Sequence, residues 1–414
     1  MGMDAFGSAE LQTAFDAEHG SPELIDKVAR SVPQLRDVMA SLRESLPIVP
    51  NSSVGPVGRF YRLPNHYRSV SFMLPPGGSD DPESASGVIV FKGTEPLLPD
   101  FPGYFEWMLS APFRSSSLPL GLHFPLDMKL PPAAMWIEEC LAEQAVASRL
   151  QQRYLARHGR LARLPVPLFV FRMTPEQNGR YEETVRRRIS AEAFWKFKNK
   201  LADGLGVEVY YYPELPVRVA DLFVGNVRET FKAALVPEQI EATCRSWIQL
   251  LGEMLCLDYM PYVPWHHGMG GCIDPGNVCI DGGFNDLLTL TSFDAIPDEV
   301  LFRRSLQASI QGLADSMVSL SAASIGLPSV TEKDAAELAA ALINENLRKH
   351  IRASASEGHE IDARLTRYFD HPEVADIAQL LRDSHRSKGR LAQYVAKESA
   401  QVSERSTLKA VAGA

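Results

Sequence analysis

Side chains able to do chemistry crowd into one stretch of the chain, Trp265-His-His-Gly-Met-Gly-Gly-Cys-Ile-Asp-Pro-Gly-Asn-Val-Cys-Ile-Asp-Gly-Gly283. His266, His267, Asp274, Asn277 and Asp281 all fall within it. The interleaved glycines let the backbone take dihedrals closed to other residues and approach a ligand closely. Phosphoryl transfer needs this set of groups: an Asp to orient or deprotonate the nucleophile, and Asn with Asp to hold magnesium against the phosphates. Plainer readings exist for the same residues. Asp274-Pro-Gly-Asn277 carries the signature of a type II turn, with Pro second and Gly third. His266 and His267 with Cys272 and Cys279 suggest zinc, but their spacing fits no standard finger, and adjacent histidines diverge on an extended chain.

At these residues the chain resembles the protein-kinase-like superfamily, in particular the small-molecule phosphotransferases of the aminoglycoside and choline kinase type. Their catalytic loop reads His-Gly-Asp-x-x-x-x-Asn and often closes on His-Pro-Gly-Asn. His267-Gly268 matches its beginning, and Asp274-Pro-Gly-Asn277-Val-Cys-Ile-Asp-Gly-Gly283 matches its end. Met269 stands where the family has Asp, and the interval from His267 to Asn277 is longer than the family's. The resemblance spans roughly residues 55–400 and implies an α+β fold of two lobes, the first β-rich and the second mainly helical. It implies Asn277 and Asp294 as magnesium ligands, with Asp286 the competitor of Asp294, and Asp274 or His267 as the group that handles the acceptor. It also implies a strand lysine that contacts phosphates, Lys92 or its rival Lys129, and a helix glutamate that pairs with it, from among Glu138, Glu139 and Glu143. The cofactors implied are ATP and Mg2+.

The elements that must position these groups are legible from periodicity and punctuation. Ser21-Pro-Glu-Leu24 opens a helix, Pro33 interrupts it, and a second helix runs to about Leu46. Strands are expected at Arg59–Leu63, Tyr67–Leu74, Gly87–Lys92, Pro165–Met173 and Gly206–Tyr212. Helices are expected over Pro131–His158, Thr174–Leu205 and Pro237–Leu257, and over most of Pro297–Lys397. Val278–Asp281 and Leu287–Phe293 read as a hairpin turned by Gly282-Gly283. Strands with one long helix, followed by helices, point to α+β and not to an alternating parallel sheet. The expected division is a helical extension over 1–50, a β-rich lobe over 55–215, a helical lobe over 216–400 and a frayed tail over 401–414. On the plain reading, Lys92 closes a buried strand and snorkels to solvent, the three glutamates form a solvated helix face, and Arg186–Arg188 is surface charge.

Composition excludes several classes. Acidic residues outnumber basic ones, 51 to 42, which argues against a dedicated nucleic-acid binder. The five cysteines form no ladder and no C-x-x-C, as in a reduced, cytoplasmic chain. No apolar leader opens the sequence and no stretch is long enough to span a bilayer, so neither secretion nor a membrane partner is expected. There is no G-x-S-x-G elbow, no Walker A and no G-x-G-x-x-G. Three functions fit: an ATP- and magnesium-dependent transferase acting on a small-molecule acceptor, a carboxylate-activating synthetase resembling the siderophore enzymes, and a kinase-like binding or regulatory protein without catalysis. The C-terminal helices suit a substrate cleft or a homodimer interface equally well.

Overall fold

A computed structural model of the chain describes residues 10–13, 17–48, 55–57, 59–64, 66, 69–74, 87–93, 135–187, 194, 198, 204–224, 226–261, 273–287, 290–296, 298–325 and 333–370. The chain forms two compact units: Met1–Val217 with Asp281–Ala295, and Arg218–Ile280 with Ile296–Ala414. The return of Asp281–Ala295 to the first unit was not anticipated.

The first unit is built on an antiparallel sheet. In chain order its strands and helices are β1 (Glu10–Thr13), β2 (Ala17–His19), α1 (Pro22–Ser31), α2 (Gln34–Glu44), β3 (Ser45–Ile48), β4 (Gly55–Val57), β5 (Phe60–Arg62), β6 (Ser69–Met73), β7 (Val88–Lys92), β8 (Met135–Trp136), α3 (Ile137–His158), β9 (Val166–Arg172), α4 (Pro175–Arg186) and β10 (Leu205–Tyr212). The spatial order is β2-β9-β10-β7-β6-β5-β4, with β8 also pairing β10; β1 and β3 form a separate ribbon. β10 is buried along its whole length, as its run of β-branched and aromatic residues requires of a central strand. Pro167 is tolerated in β9 because the ladder shifts register opposite it, between Val209 and Tyr210, and because β2 pairs only with Phe169–Phe171.

The two faces of β10 bury different partners. Val207, Val209 and Tyr211 join Leu24, Val28, Leu35, Val38 and Leu42 of α1 and α2 in one apolar cluster. α1 and α2 therefore complete the sheet's core. The other face carries α3. Gly206 lets that helix lie close, because a side chain there would meet Ile137 and Cys140. The helix begins at Ile137, several residues later than expected, because Met135–Trp136 is spent on β8. It ends at Gly159, which takes the left-handed conformation and donates to the Leu155 carbonyl. α4 starts on a reciprocal Thr174–Gln177 capping box and runs to Arg186; beyond it Phe194 and Lys198 are helical, and the rest of 188–203 lies outside the described residues.

The second unit is helical: α5 (Pro237–Leu255), α6 (Glu299–Ile325), α7 (Lys333–Ser356) and α8 (Ala363–Asp370). α5 begins with Pro237 in its first turn, where the missing N–H costs nothing. Close backbone approach governs the packing. Gly252 of α5 faces the His350 ring of α7, and a methyl group on Gly312 of α6 would overlap the Ile273 carbonyl oxygen. Among the described residues, no helix is long and apolar enough to cross a membrane.

Candidate functional site

The first unit gathers a buried set of charged groups on the α3 face of its sheet. Lys92 closes β7, a strand whose residues are all buried. Its side chain is only 3% exposed, so it does not snorkel to solvent. The ammonium instead reaches both carboxylate oxygens of Glu143 on α3, at 2.9 and 2.7 Å. It also reaches Asp286 at 3.4 Å, in the segment that returns from the second unit. Glu143 further accepts the Leu287 backbone N–H at 3.1 Å. One carboxylate thus holds the strand lysine and fixes the backbone beside Asp286. Burial pushes the Glu143 carboxyl upward and the Lys92 ammonium opposes this. With three hydrogen bonds to its oxygens, two of them from the Lys92 ammonium, the ionised form is the one the geometry serves.

The other helix glutamates fill different roles. Glu139 is fully buried and accepts the Trp136 backbone N–H at 3.2 Å, so it caps α3. Glu138 is half-buried. The solvated-face reading of the three therefore fails for Glu139 and Glu143, because α3 is covered by β10 on the side where they lie. Of the two candidate aspartates, Asp286 is the one brought to Lys92. Asp294 is exposed on a single 3-10 turn, Phe293–Ala295. The strand before it is Leu290–Ser292, and Asp294 stands on the turn that follows that strand.

The expected hairpin is not formed by Val278–Asp281. Cys279 makes an isolated bridge with Arg218. Gly282 takes a positive φ, and Asp281 accepts the Gly283 N–H at 3.0 Å, bending the chain sharply. A side chain on Gly283 would collide with the Tyr212 hydroxyl and the Arg163 carbonyl, so only glycine fits there. Burial pushes the Asp281 carboxyl up to about 6. Next to it, Asn285 accepts a 2.7 Å hydrogen bond from the Tyr210 hydroxyl, tying the returning segment to β10.

Asp274 and Asn277 belong to the second unit. The Asn277 N–H donates to the Asp274 carbonyl at 2.9 Å, as a β-turn requires. Val278 donates to the same carbonyl, and Gly276 lacks the positive φ of a type II turn, so the segment is one helical turn. The Asp274 carboxylate accepts the Gly276 N–H at 2.6 Å and stabilises its own turn. The turn is anchored from outside as well: Ala220 donates to Pro275, Val219 to Val278, Trp247 to Cys279 and Thr243 to Ile280. His266, His267, Cys272 and Lys129 lie outside the described residues.

Sequence reasoning missed Glu208, which sits opposite Lys92 in the β7–β10 ladder and is 1% exposed. The signal was present: one acidic residue inside Gly206-Val-Glu-Val-Tyr-Tyr-Tyr212, an otherwise apolar and aromatic strand. Cys140, one turn before Glu143, has its thiol pushed upward by burial and by the neighbouring carboxylates. It is therefore inert. Among the described residues, no three His, Cys, Asp or Glu side chains are arranged to hold a metal ion by themselves. Such a cage is not needed where phosphates supply most of the ligands, since magnesium bound with a nucleotide uses one or two carboxylates. No protein-family model matches the chain, and no curated protein matches its sequence.

Proposed function

We propose that the protein is an ATP- and magnesium-dependent enzyme that acts on a small-molecule acceptor, in the manner of the kinase-like phosphotransferases. The observation that supports this reading is the buried Lys92–Glu143 pair with Asp286 as its third member. A strand lysine, a helix glutamate and an aspartate downstream of the Asn277 turn are the groups that the resemblance implies, in the same chain order. Lys92 offers a desolvated positive charge for phosphate oxygens, and charges act more strongly there than in water. Glu143 keeps that ammonium in place and, through the Leu287 N–H, holds the backbone that carries Asp286. The Asp286 side chain is 21% exposed and reaches the edge of the cluster, as a carboxylate that shares a metal with phosphates must. Magnesium, when bound with the nucleotide, supplies charge neutralisation across the phosphates.

The test is turnover of ATP with magnesium by the purified chain. Lys92→Ala is expected to lower it by about 10²–10³-fold, the usual cost of one preorganised electrostatic contact. Asp286→Ala should match that loss and Asp294→Ala should not; the opposite order would sink the assignment. Release of ADP supports phosphoryl transfer, whereas AMP with pyrophosphate supports carboxylate activation. A second reading, nucleotide binding without transfer, is favoured by the Asp274 carboxylate being engaged in its own turn. It predicts tight ATP binding with no product.

A further inference from the structure

The inference rests on the nucleotide-site reading of Lys92 and concerns a residue which that reading leaves unused. Glu208 lies at the middle of β10, directly across the ladder from Lys92. It is 1% exposed, and neither carboxylate oxygen has a hydrogen-bond partner among the described residues. An ionised carboxylate in that position would be a buried charge without one hydrogen bond, which proteins avoid. The titratable groups that face it are Lys92 from β7, Glu143, Glu139 and Cys140 from α3, and Asp286 from the returning segment. Its neighbour on β9 is the apolar Val170.

Among the described residues, the carboxyl groups of Glu143, Asp286 and Glu208 lie about the Lys92 ammonium. Glu143 takes two hydrogen bonds from Lys92 and Asp286 takes one, while Glu208 takes none. A proton that lowers the excess negative charge belongs on the carboxyl with least to lose, which is Glu208. Burial and the Glu143 carboxylate push Glu208 well above the usual carboxylate range, against the pull of Lys92. We propose that Glu208 is a positioning residue for Lys92: uncharged, it leaves the ammonium on Glu143 and Asp286, and ionised, it draws the ammonium along the ladder and away from nucleotide phosphates. The proton is thus a regulator of the site, acting through the lysine without touching the nucleotide.

Glu208→Gln keeps the shape of the uncharged form and removes the titration. Two measurements across the pH range of the folded chain decide the matter. In the first, affinity for ATP with magnesium should fall for the parent protein by about tenfold per pH unit above the Glu208 titration, in proportion to the competent fraction, while that of Glu208→Gln stays level. The second needs no nucleotide: the Lys92 Cε resonance, identified by its loss in Lys92→Arg, should shift with pH in the parent and not in Glu208→Gln. The same pH course for that resonance in both proteins would overturn the positioning role. Absence of ATP binding by either protein at every pH would count against the nucleotide reading alone, because the resonance reports on Lys92 directly.

Discussion

At the scale of residues, the Lys92–Glu143 pair carries a definite energetic signature. Both side chains are nearly devoid of solvent, so removing one partner strands the other. Lys92→Met is expected to destabilise the first unit by about 3–5 kcal/mol, whereas Lys92→Met with Glu143→Met together should recover much of that loss. Urea unfolding of the single and double variants measures the difference directly. Glu208 makes a different prediction, with its sign set by linkage. Its folded-state carboxyl holds a proton to higher pH than the unfolded one, so the stability it contributes is complete below the ordinary carboxylate value near 4.5 and is lost as pH rises toward the folded value. The melting temperature of Glu208→Gln minus that of the parent should therefore grow with pH above 4.5. A constant difference would show that Glu208 is already ionised when folded.

At the scale of elements, the candidate turn around Asn277 is a product of its neighbours. Ile273 lies against Gly312 of α6, and Pro275, Val278, Cys279 and Ile280 each give a carbonyl to donors from the 219–223 turn or from α5. Two effects oppose each other at Gly312. Alanine would gain about 1 kcal/mol of helix propensity, but its methyl group would overlap the Ile273 carbonyl, and overpacking of that kind costs about 1–3 kcal/mol. Backbone oxygen cannot rotate aside as a side chain can, so Gly312→Ala is expected to lower the urea midpoint. An unchanged or raised midpoint would mean that α6 is free to slide away from the turn. The helix termini were easier to anticipate than the helix interiors. Pro22, Thr174-Pro175 and Pro237 mark starts that the chain obeys, because the proline ring suits the first turn wherever the helix leads.

At the scale of the whole molecule, the chain divides into two units, and the division is not sequential. The first unit recruits Asp281–Ala295 from between the two stretches of the second, and that recruitment is what brings Asp286 to Lys92. The same unit needs its N-terminal helices. Leu24, Val28, Leu35, Val38 and Leu42 share a core with Phe169, Phe171, Val207 and Val209. Deleting residues 1–50 would expose that face of the sheet, and a shortened chain of 51–414 is expected to lose cooperative unfolding in the first unit and to aggregate. A soluble, cooperatively melting fragment would restore the view that these helices are an appendage.

Lys92 and Glu143 entered as candidates for an ion pair through the resemblance, whereas the sequence by itself determined the α+β class, the strands at β7, β9 and β10, and the helix starts at Pro22, Pro175 and Pro237. These follow from local rules: periodicity, β-branched runs, and prolines that act wherever they stand. It left open which glutamate of three would meet the lysine and which aspartate of two would lie beside that pair, because spacing along a helix or strand does not say which face is covered. Only the tertiary structure decided that α3 lies on β10 with Glu143 toward Lys92 and Glu139 turned back to cap the helix. The stretch Asp274–Gly283 is divided in the same way, with Asp274 and Asn277 in one unit and Asp281 in the other. The chemistry of its residues is written in the sequence, but the burial that pushes the Glu208 carboxyl upward and keeps Lys92 from water exists only once the sheet and helix have closed over them.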